Sequence, residues 1–377
     1  MKNRKIFCLN NIAKVGTDRF RAGYELVDAI DEAADPAAIL VRSAKMLDYA
    51  PNPALLCVAR AGAGYNNIPV DDYAAKGVVV FNTPGANANA VKELAVCALI
   101  LASRDVVGGI EWCKTIADKG DEVAALVEKG KSNFVGPELL GKTLGLIGLG
   151  NVGAKVANAA AALGMKVLGY DPYLSDALRK QLAGVAEIVD ELDALYAASD
   201  YISLHLPYTK DTADTICKAS MAKMKDGVRI INIARGELVC DADMAEALAS
   251  GKVARYVTDF PNGNTVKMAG CVAIPHLGAS TPESEDNCAV MAADQVSRYL
   301  LQGDIVNSVN LPNITMERSG KFRAVVIAKA DADVKLEGKA VAEKTRGAYK
   351  VILADADSAF DEAALAAKPG VIRVRTL

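Results

Sequence analysis

Histidine is nearly absent from this chain: 377 residues include only two, His205 and His276. Proton transfer through an imidazole near neutral pH is therefore confined to two positions. No Cys-x-x-Cys pair occurs, and the eight cysteines (8, 57, 97, 113, 217, 240, 271 and 288) are scattered. That spacing argues against a zinc site or a disulfide framework and suits reduced thiols; no metal is expected. There is no basic surplus either. Lys and Arg total 43 against 46 Asp and Glu, a formal charge of −3, which argues against nucleic acid as a partner. The longest apolar run, Leu94 to Ala102, is far too short to cross a bilayer, so no membrane partner is expected. The basic stretch Met1–Leu9 lacks a sustained apolar core, so no secretory signal is expected and the protein is read as cytoplasmic. With 51% apolar residues the chain can fill the cores of two or three domains.

What is present is a glycine pattern in a fitting context. Thr143–Ile147 reads as a strand, Gly148-Leu-Gly150-Asn151-Val152-Gly153 follows, and Asn151–Leu163 reads as an Ala-rich helix. Gly164 stops that helix, and Met165–Tyr170 reads as a second strand ending at Asp171, 18 residues past the third glycine. This is the dinucleotide fingerprint within a βαβ unit. Gly148 permits the turn, Gly150 admits a pyrophosphate close to the backbone, and Gly153 lets helix and strand pack tightly. The helix N-terminus offers N–H groups and partial positive charge to phosphates. Asp171 accepts hydrogen bonds from a ribose diol and repels a 2′-phosphate, so the expected cofactor is NAD.

Strand-like and helical segments alternate through most of the chain, which predicts an α/β fold with doubly wound parallel sheets. Upstream strands are expected at Lys5–Leu9, Ala38–Val41, Leu55–Ala59 and Val78–Phe81, before a long helix from about Asn89. Downstream strands are expected at Tyr201–Leu206, Val228–Ile233, Ala254–Thr258 and Val272–Ile274. Helices are expected near Glu191–Ala198, Asp241–Ser250 and Pro282–Leu301. Strands ahead of the fingerprint suggest a first α/β domain into which the nucleotide domain is inserted. After the linker-like Asn307–Asn313 comes a small α+β module, with strands at Phe322–Ala328, Tyr349–Ala354 and Val371–Val374 and a helix at Phe360–Ala367.

Candidate chemistry lies just beyond strands, where doubly wound sheets place ligands. His276 stands in Ile274-Pro-His276-Leu-Gly278, and His205 in Ser203-Leu-His205-Leu206-Pro. His276 is the expected acid-base, and His205 is expected to line the cofactor rather than move a proton. Arg235, in Asn232-Ile-Ala-Arg235-Gly236, offers a planar fork for a carboxylate and polarises an adjacent carbonyl. Hydride chemistry on a 2-hydroxy acid needs that cation plus one group for the hydroxyl proton.

Five motifs in order resemble the D-2-hydroxyacid dehydrogenases. They are Arg60–Ile68, Asn82–Asn87, the Gly148 fingerprint, Asn232–Gly236 and Pro275–Thr281, and the resemblance spans roughly residues 1–312. It implies two Rossmann-like domains: a discontinuous substrate domain (1–88 with 283–312) and an NAD domain (89–282). It implies Arg235 on the substrate carboxylate, His276 as acid-base and Asp259 on the nicotinamide amide. Asn151, Val152, Asp171, His205, Leu206, Ala234 and Gly278 would line NAD with the three glycines. Arg42 and Ser43 match an Arg-Ser segment of the family's substrate domain. With Arg60 and Asn87 they would bind a phosphorylated 2-hydroxy acid, 3-phosphoglycerate, in a homodimer or homotetramer. The alternatives are another small 2-hydroxy acid, such as glyoxylate or hydroxypyruvate in its keto form, and a non-catalytic NAD-sensing protein.

Two departures stand out. Most members carry a glutamate shortly after the aspartate that matches Asp259, where it stabilises the imidazolium. Here Asp259-Phe-Pro-Asn262-Gly-Asn264-Thr-Val-Lys-Met268 holds no glutamate. Either another acid such as Glu283 or Glu285 substitutes, or the histidine works with a lower pKa. The tail, residues 313–377, resembles a truncated ACT-like module, since its first strand runs into a short charged segment instead of a helix. Use in assembly is expected rather than serine feedback.

Overall fold

The computed structural model describes residues 4–20, 23–28 and 35–377; the first three residues of the basic N-terminal stretch lie outside that set. The chain divides into two units, residues 1–87 with 281–377, and residues 88–280.

In the first unit, β1 (Arg4–Cys8), β2 (Tyr24–Val27), β3 (Ala38–Val41), β4 (Cys57–Arg60) and β5 (Val79–Phe81) form a parallel sheet in the order β2-β1-β3-β4-β5. Its central strands are covered on both faces, so Ala38-Ile-Leu-Val41 is buried throughout. Such near-continuous apolar strands are what a parallel sheet demands. The helix Pro282–Gln302 closes one face, burying Cys288, Ala292, Val296 and Tyr299. Its start is coded locally. The Thr281 hydroxyl accepts from Ser284 N, Pro282 opens the first turn, and Glu283 and Glu285 complement the dipole. Gly303, at φ 75°, ends it in the left-handed conformation.

The tail belongs to this same unit. Strands β13 (Phe322–Lys329), β14 (Ala340–Arg346), β15 (Tyr349–Ala356) and β16 (Val371–Thr376) form an antiparallel sheet ordered β14-β15-β13-β16. Val325, Ile327, Val351 and Leu353 share one core with Tyr299, Leu300 and the first sheet. The opposite face is covered by Leu365 of the helix Glu362–Ala366 and by Val334. Residues 331–338 carry neither helix nor strand. β14 was not expected from the sequence, because Ala-Val-Ala-Glu-Lys-Thr-Arg has the charge that edge strands use against unwanted pairing. The short edge strand β2 escaped notice for a related reason: Glu25 and Leu26 are exposed.

The second unit holds β6 (Thr143–Ile147), β7 (Lys166–Tyr170), β8 (Glu187–Ile188), β9 (Tyr201–Leu204), β10 (Val228–Asn232), β11 (Val253–Thr258) and β12 (Cys271–Ala273). All are parallel, in the order β12-β11-β10-β9-β6-β7-β8. The chain winds outward from β6 to β8, then returns to β9 on the other side of β6. That reversal makes a crevice at the carboxyl ends of β6 and β9, the switch point where such sheets bind ligands. The helix Asn151–Ala162 packs on the helix Ala88–Ser103 through alanines: Ala154, Ala157 and Ala160 share a core with Ala95, Ala98 and Ala102. No helix among the described residues is long and apolar enough to cross a membrane.

Candidate active site

The glycine turn occupies the switch point. Gly148 sits at φ 95°, and a Cβ there would lie 2.7 Å from the His205 carbonyl oxygen. Gly153 is more tightly constrained, since its Cβ would stand 2.1 Å from Gly148 O. Gly150 differs: nothing lies within 4 Å of its would-be Cβ. One glycine therefore serves the turn, one serves the packing, and one faces open space. Asn151 and Val152 begin a 12-residue helix whose first N–H groups lack intrahelical partners. Across the turn, Asp171 accepts from Leu149 N (2.9 Å, Oδ2) and Tyr173 N (2.9 Å, Oδ1). Each oxygen keeps a lone pair for a diol. The cradle thus has the open backbone at Gly150 and the free acceptor capacity at Asp171 that a dinucleotide requires.

His205 follows β9 and its amide donates to Ile147 O at 2.8 Å, tying the two strands at the crevice. Its Nε2 pairs with the hydroxyl of buried Ser203 at 3.0 Å, and burial pushes its pKa down to about 4. The imidazole is therefore neutral near pH 7. Leu206 is partly buried against the core that includes Ile147 and Leu204.

Arg235, Asp259 and His276 follow β10, β11 and β12, three neighbouring strands, so their side chains meet at one end of the sheet. Buried Asn232 organises the first loop: its Oδ1 accepts from Ala234 N and Arg235 N, and its Nδ2 donates to Arg235 O at 2.7 Å. The Arg235 guanidinium donates to Ala234 O at 2.5 Å. Asp259, 1% exposed, accepts from Gly278 N at 3.0 Å through Oδ2, while its buried Oδ1 has no partner. Burial raises its pKa, opposed by the Gly278 N–H and by the positive potential of His276 and Arg235. A buried acceptor left unpaired is costly, and a ligand amide would satisfy it.

His276 is exposed and sits at φ 37°, unusual for a residue with a Cβ. Its backbone N–H holds the conformation by donating to Asp259 O and Ile274 O, both at 3.0 Å. The imidazole lies against Phe260, ring centroids 4.6 Å apart. Among the described residues no side chain hydrogen-bonds to it. Asn264, closest to the expected glutamate, donates instead to Asp241 Oδ2 (3.2 Å), as does Asn262 (2.9 Å). Glu285 pairs with Arg42 at 2.8 Å, within the first unit. A cavity of about 850 Å³ opens beside the histidine, lined by Asp214, Glu237, Asp241, Asp259, Phe260 and His276 among others. Asn232, Phe260 and Asp241 were not singled out from the sequence. The motif around Asn232 was the one available signal.

The remaining expected residues lie in the first unit. Arg42 and Ser43 follow β3 in a braced loop. Asn10 Oδ1 accepts from Arg42 N and Ala44 N, while Asn67 Nδ2 donates to Arg42 O and Ala44 O. Arg60 ends β4 and donates to Arg42 O at 3.2 Å. Gly62 makes room for it, because a Cβ there would fall 1.5 Å from Arg60 Nη1. Asn87, half-buried, is the last residue before the second unit.

The NAD-binding-domain profile of the D-isomer specific 2-hydroxyacid dehydrogenases matches residues 109–278. D-3-phosphoglycerate dehydrogenase of Mycobacterium tuberculosis is 36% identical over 92% of this chain and 68% of its own length. The NAD+-bound 3-phosphoglycerate dehydrogenase of Entamoeba histolytica superposes with a TM-score of 0.64 at 27% identity, covering 82% of this chain and 99% of that one. The apo D-mandelate dehydrogenase of Rhodotorula graminis gives 0.69 at 26%, covering 84% and 100%. The chain belongs to the D-2-hydroxyacid dehydrogenases and is an NAD-dependent enzyme of that family.

Proposed function

We propose that the enzyme oxidises 3-phosphoglycerate to 3-phosphohydroxypyruvate, the entry step to serine. The observation that carries the reading is the convergence of Arg235, Asp259 and His276 at the ends of adjacent strands, beside the glycine cradle. Arg235 grips the substrate carboxylate with a planar fork of N–H donors. His276 takes the proton of the C2 hydroxyl, which leaves the alkoxide to collapse to a ketone. NAD, when bound, supplies the acceptor for the C2 hydride. Asp259 offers its unpaired Oδ1 to the nicotinamide amide, and Gly148, Gly150, Asn151, Val152, Gly153, Asp171, His205, Leu206, Ala234 and Gly278 line the cofactor.

Substrate choice rests on the first unit. The Arg42–Ala44 loop, pinned by Asn10 and Asn67, offers Arg42 and Ser43 as hydrogen-bond donors to the substrate phosphate, supported by Arg60 and Asn87. Curated relatives named for 3-phosphoglycerate favour this substrate over glyoxylate or hydroxypyruvate. Residues 1–88 with 283–312 form the substrate domain and 89–282 the NAD domain. The tail acts as a truncated ACT-like assembly module of a cytoplasmic homodimer or homotetramer. Steady-state NADH oxidation with phosphohydroxypyruvate, glyoxylate and hydroxypyruvate tests the reading. Arg42→Ala is expected to lose kcat/KM for the phosphorylated substrate about tenfold or more while sparing the others, since a charge-assisted contact is worth roughly 1.5–3 kcal/mol. Equal loss on all three would count against phosphate recognition by Arg42.

A further inference from the structure

Among the described residues of the second unit no carboxylate lies within hydrogen-bonding distance of the Arg235 or His276 side chain, yet both lie against one ring. The Arg235 Cζ stands 5.7 Å from the Phe260 ring centroid, and the His276 imidazole lies 4.6 Å from the same centroid, tilted by 45°. The Phe260 backbone is held, because its N–H donates to Oγ1 of buried Thr258 at 3.1 Å. It is also the residue directly after Asp259, so the backbone that places the buried carboxylate places the ring.

An aromatic face is negative, so a guanidinium within about 6 Å is attracted to it, and ring–ring contacts favour offset or tilted geometry over a face-to-face sandwich. Guanidinium and imidazole repel each other whenever both are charged, and a ring contacting both offers each an attractive neighbour. We infer that Phe260 is a positioning residue of this enzyme, a single aromatic bracket that sets the places of Arg235 and His276. It does by packing and quadrupole what a paired carboxylate would do by charge. The inference rests on Arg235 and His276 acting as proposed above.

The test is a set of variants in the full-length protein: Phe260→Leu, Phe260→Trp, His276→Ala and Arg235→Ala. Each is assayed for NADH oxidation with phosphohydroxypyruvate and with glyoxylate, and for NADH affinity by fluorescence. Phe260→Leu is expected to lower kcat by roughly tenfold to a hundredfold, the scale of a small misplacement of reacting groups. NADH affinity and melting temperature should stay close to those of the unsubstituted enzyme, and Phe260→Trp should restore most of kcat. Proton NMR gives a readout independent of turnover. With two histidines in the chain, His276→Ala assigns the imidazole signals. Those of His276 should carry a ring-current shift that Phe260→Leu removes and Phe260→Trp keeps. Unchanged kcat in Phe260→Leu, or equal loss in Phe260→Leu and Phe260→Trp, overturns the bracket. Full turnover in His276→Ala or Arg235→Ala overturns the site reading, and the bracket with it.

Discussion

If the glycine turn holds the cofactor as proposed, it separates stability from cofactor binding, and two single-methyl substitutions expose the separation. Gly153→Ala puts a Cβ 2.1 Å from Gly148 O and 3.0 Å from Gly148 C. Both are backbone atoms of a turn hydrogen-bonded to β7, since Gly148 N donates to Tyr170 O at 2.9 Å. An ordinary contact needs over an ångström more, so the helix Asn151–Ala162 must slide off the strand. Overpacking of this kind costs about 1–3 kcal/mol. For a domain the size of the second unit that is roughly 2–12 °C in Tm. Gly150→Ala meets nothing within 4 Å, and its φ of −65° suits any residue. It forfeits a mild N-cap preference, about 0.5–1 kcal/mol, and recovers about 0.4–1 kcal/mol from the less flexible unfolded chain. Its Tm should therefore stay within a few degrees. Its methyl, however, would fill the space proposed for the pyrophosphate, and NADH affinity should fall at least about tenfold. Thermal melts followed by circular dichroism, and NADH titrations by fluorescence, read the two effects. A Gly150→Ala protein that binds NADH normally, or a Gly153→Ala protein that melts normally, refutes the division of labour.

Two further outcomes follow from buried charge. The pKa of His205 is about 4 folded against 6.5 unfolded, so both states hold it neutral above 6.5. As pH falls from 6.5 towards 4 the unfolded chain gains a proton that the folded one refuses. Stability should drop by up to about 3 kcal/mol over that window. Urea midpoints of His205→Gln should fall less steeply with pH than those of the unsubstituted protein, and parallel curves would contradict the burial argument. In the tail, Arg323 and Asp355 are 1% and 0% exposed and face each other across β13 and β15 through contacts of 2.6 and 2.8 Å. Asp355→Ala strands a buried guanidinium and should cost about 3–5 kcal/mol. A loss under about 1 kcal/mol in chemical denaturation would show that the Gln302 carbonyl and Asp304, which also contact Arg323, suffice.

The parts of the fold set by local rules were legible in the sequence. Gly148, Gly150 and Gly153 between two apolar strands leave little freedom for the backbone, and Thr281-Pro282 announces a helix start. Arg235 and His276 stood out because each follows a strand, and strand ends in a parallel sheet converge. What local pattern does not encode is which side chains meet across strands. Phe260 reads as one more core aromatic until β10, β11 and β12 are aligned. Asp241 reads as a helix-starting acid until Asn262 and Asn264 fold back upon it. Charge also misleads in the tail: Arg323 and Asp355, 32 residues apart, each suggest an exposed position, and only antiparallel pairing turns them into a buried pair. The same bias hid β14, where genuine edge-strand charges resemble a loop.

Transfer of label from cofactor to substrate tests the central claim most directly. With phosphohydroxypyruvate and NADH deuterated on the transferring face, mass spectrometry of the product reports whether hydride moves within the site. One deuterium at C2 from the unsubstituted enzyme, and almost none from His276→Ala under matched NADH saturation, is the predicted result. Saturable NADH binding without label in phosphoglycerate, or in glycolate and glycerate when glyoxylate and hydroxypyruvate replace phosphohydroxypyruvate, would contradict it, and would leave the cradle as a sensor of NAD rather than one wall of an active site.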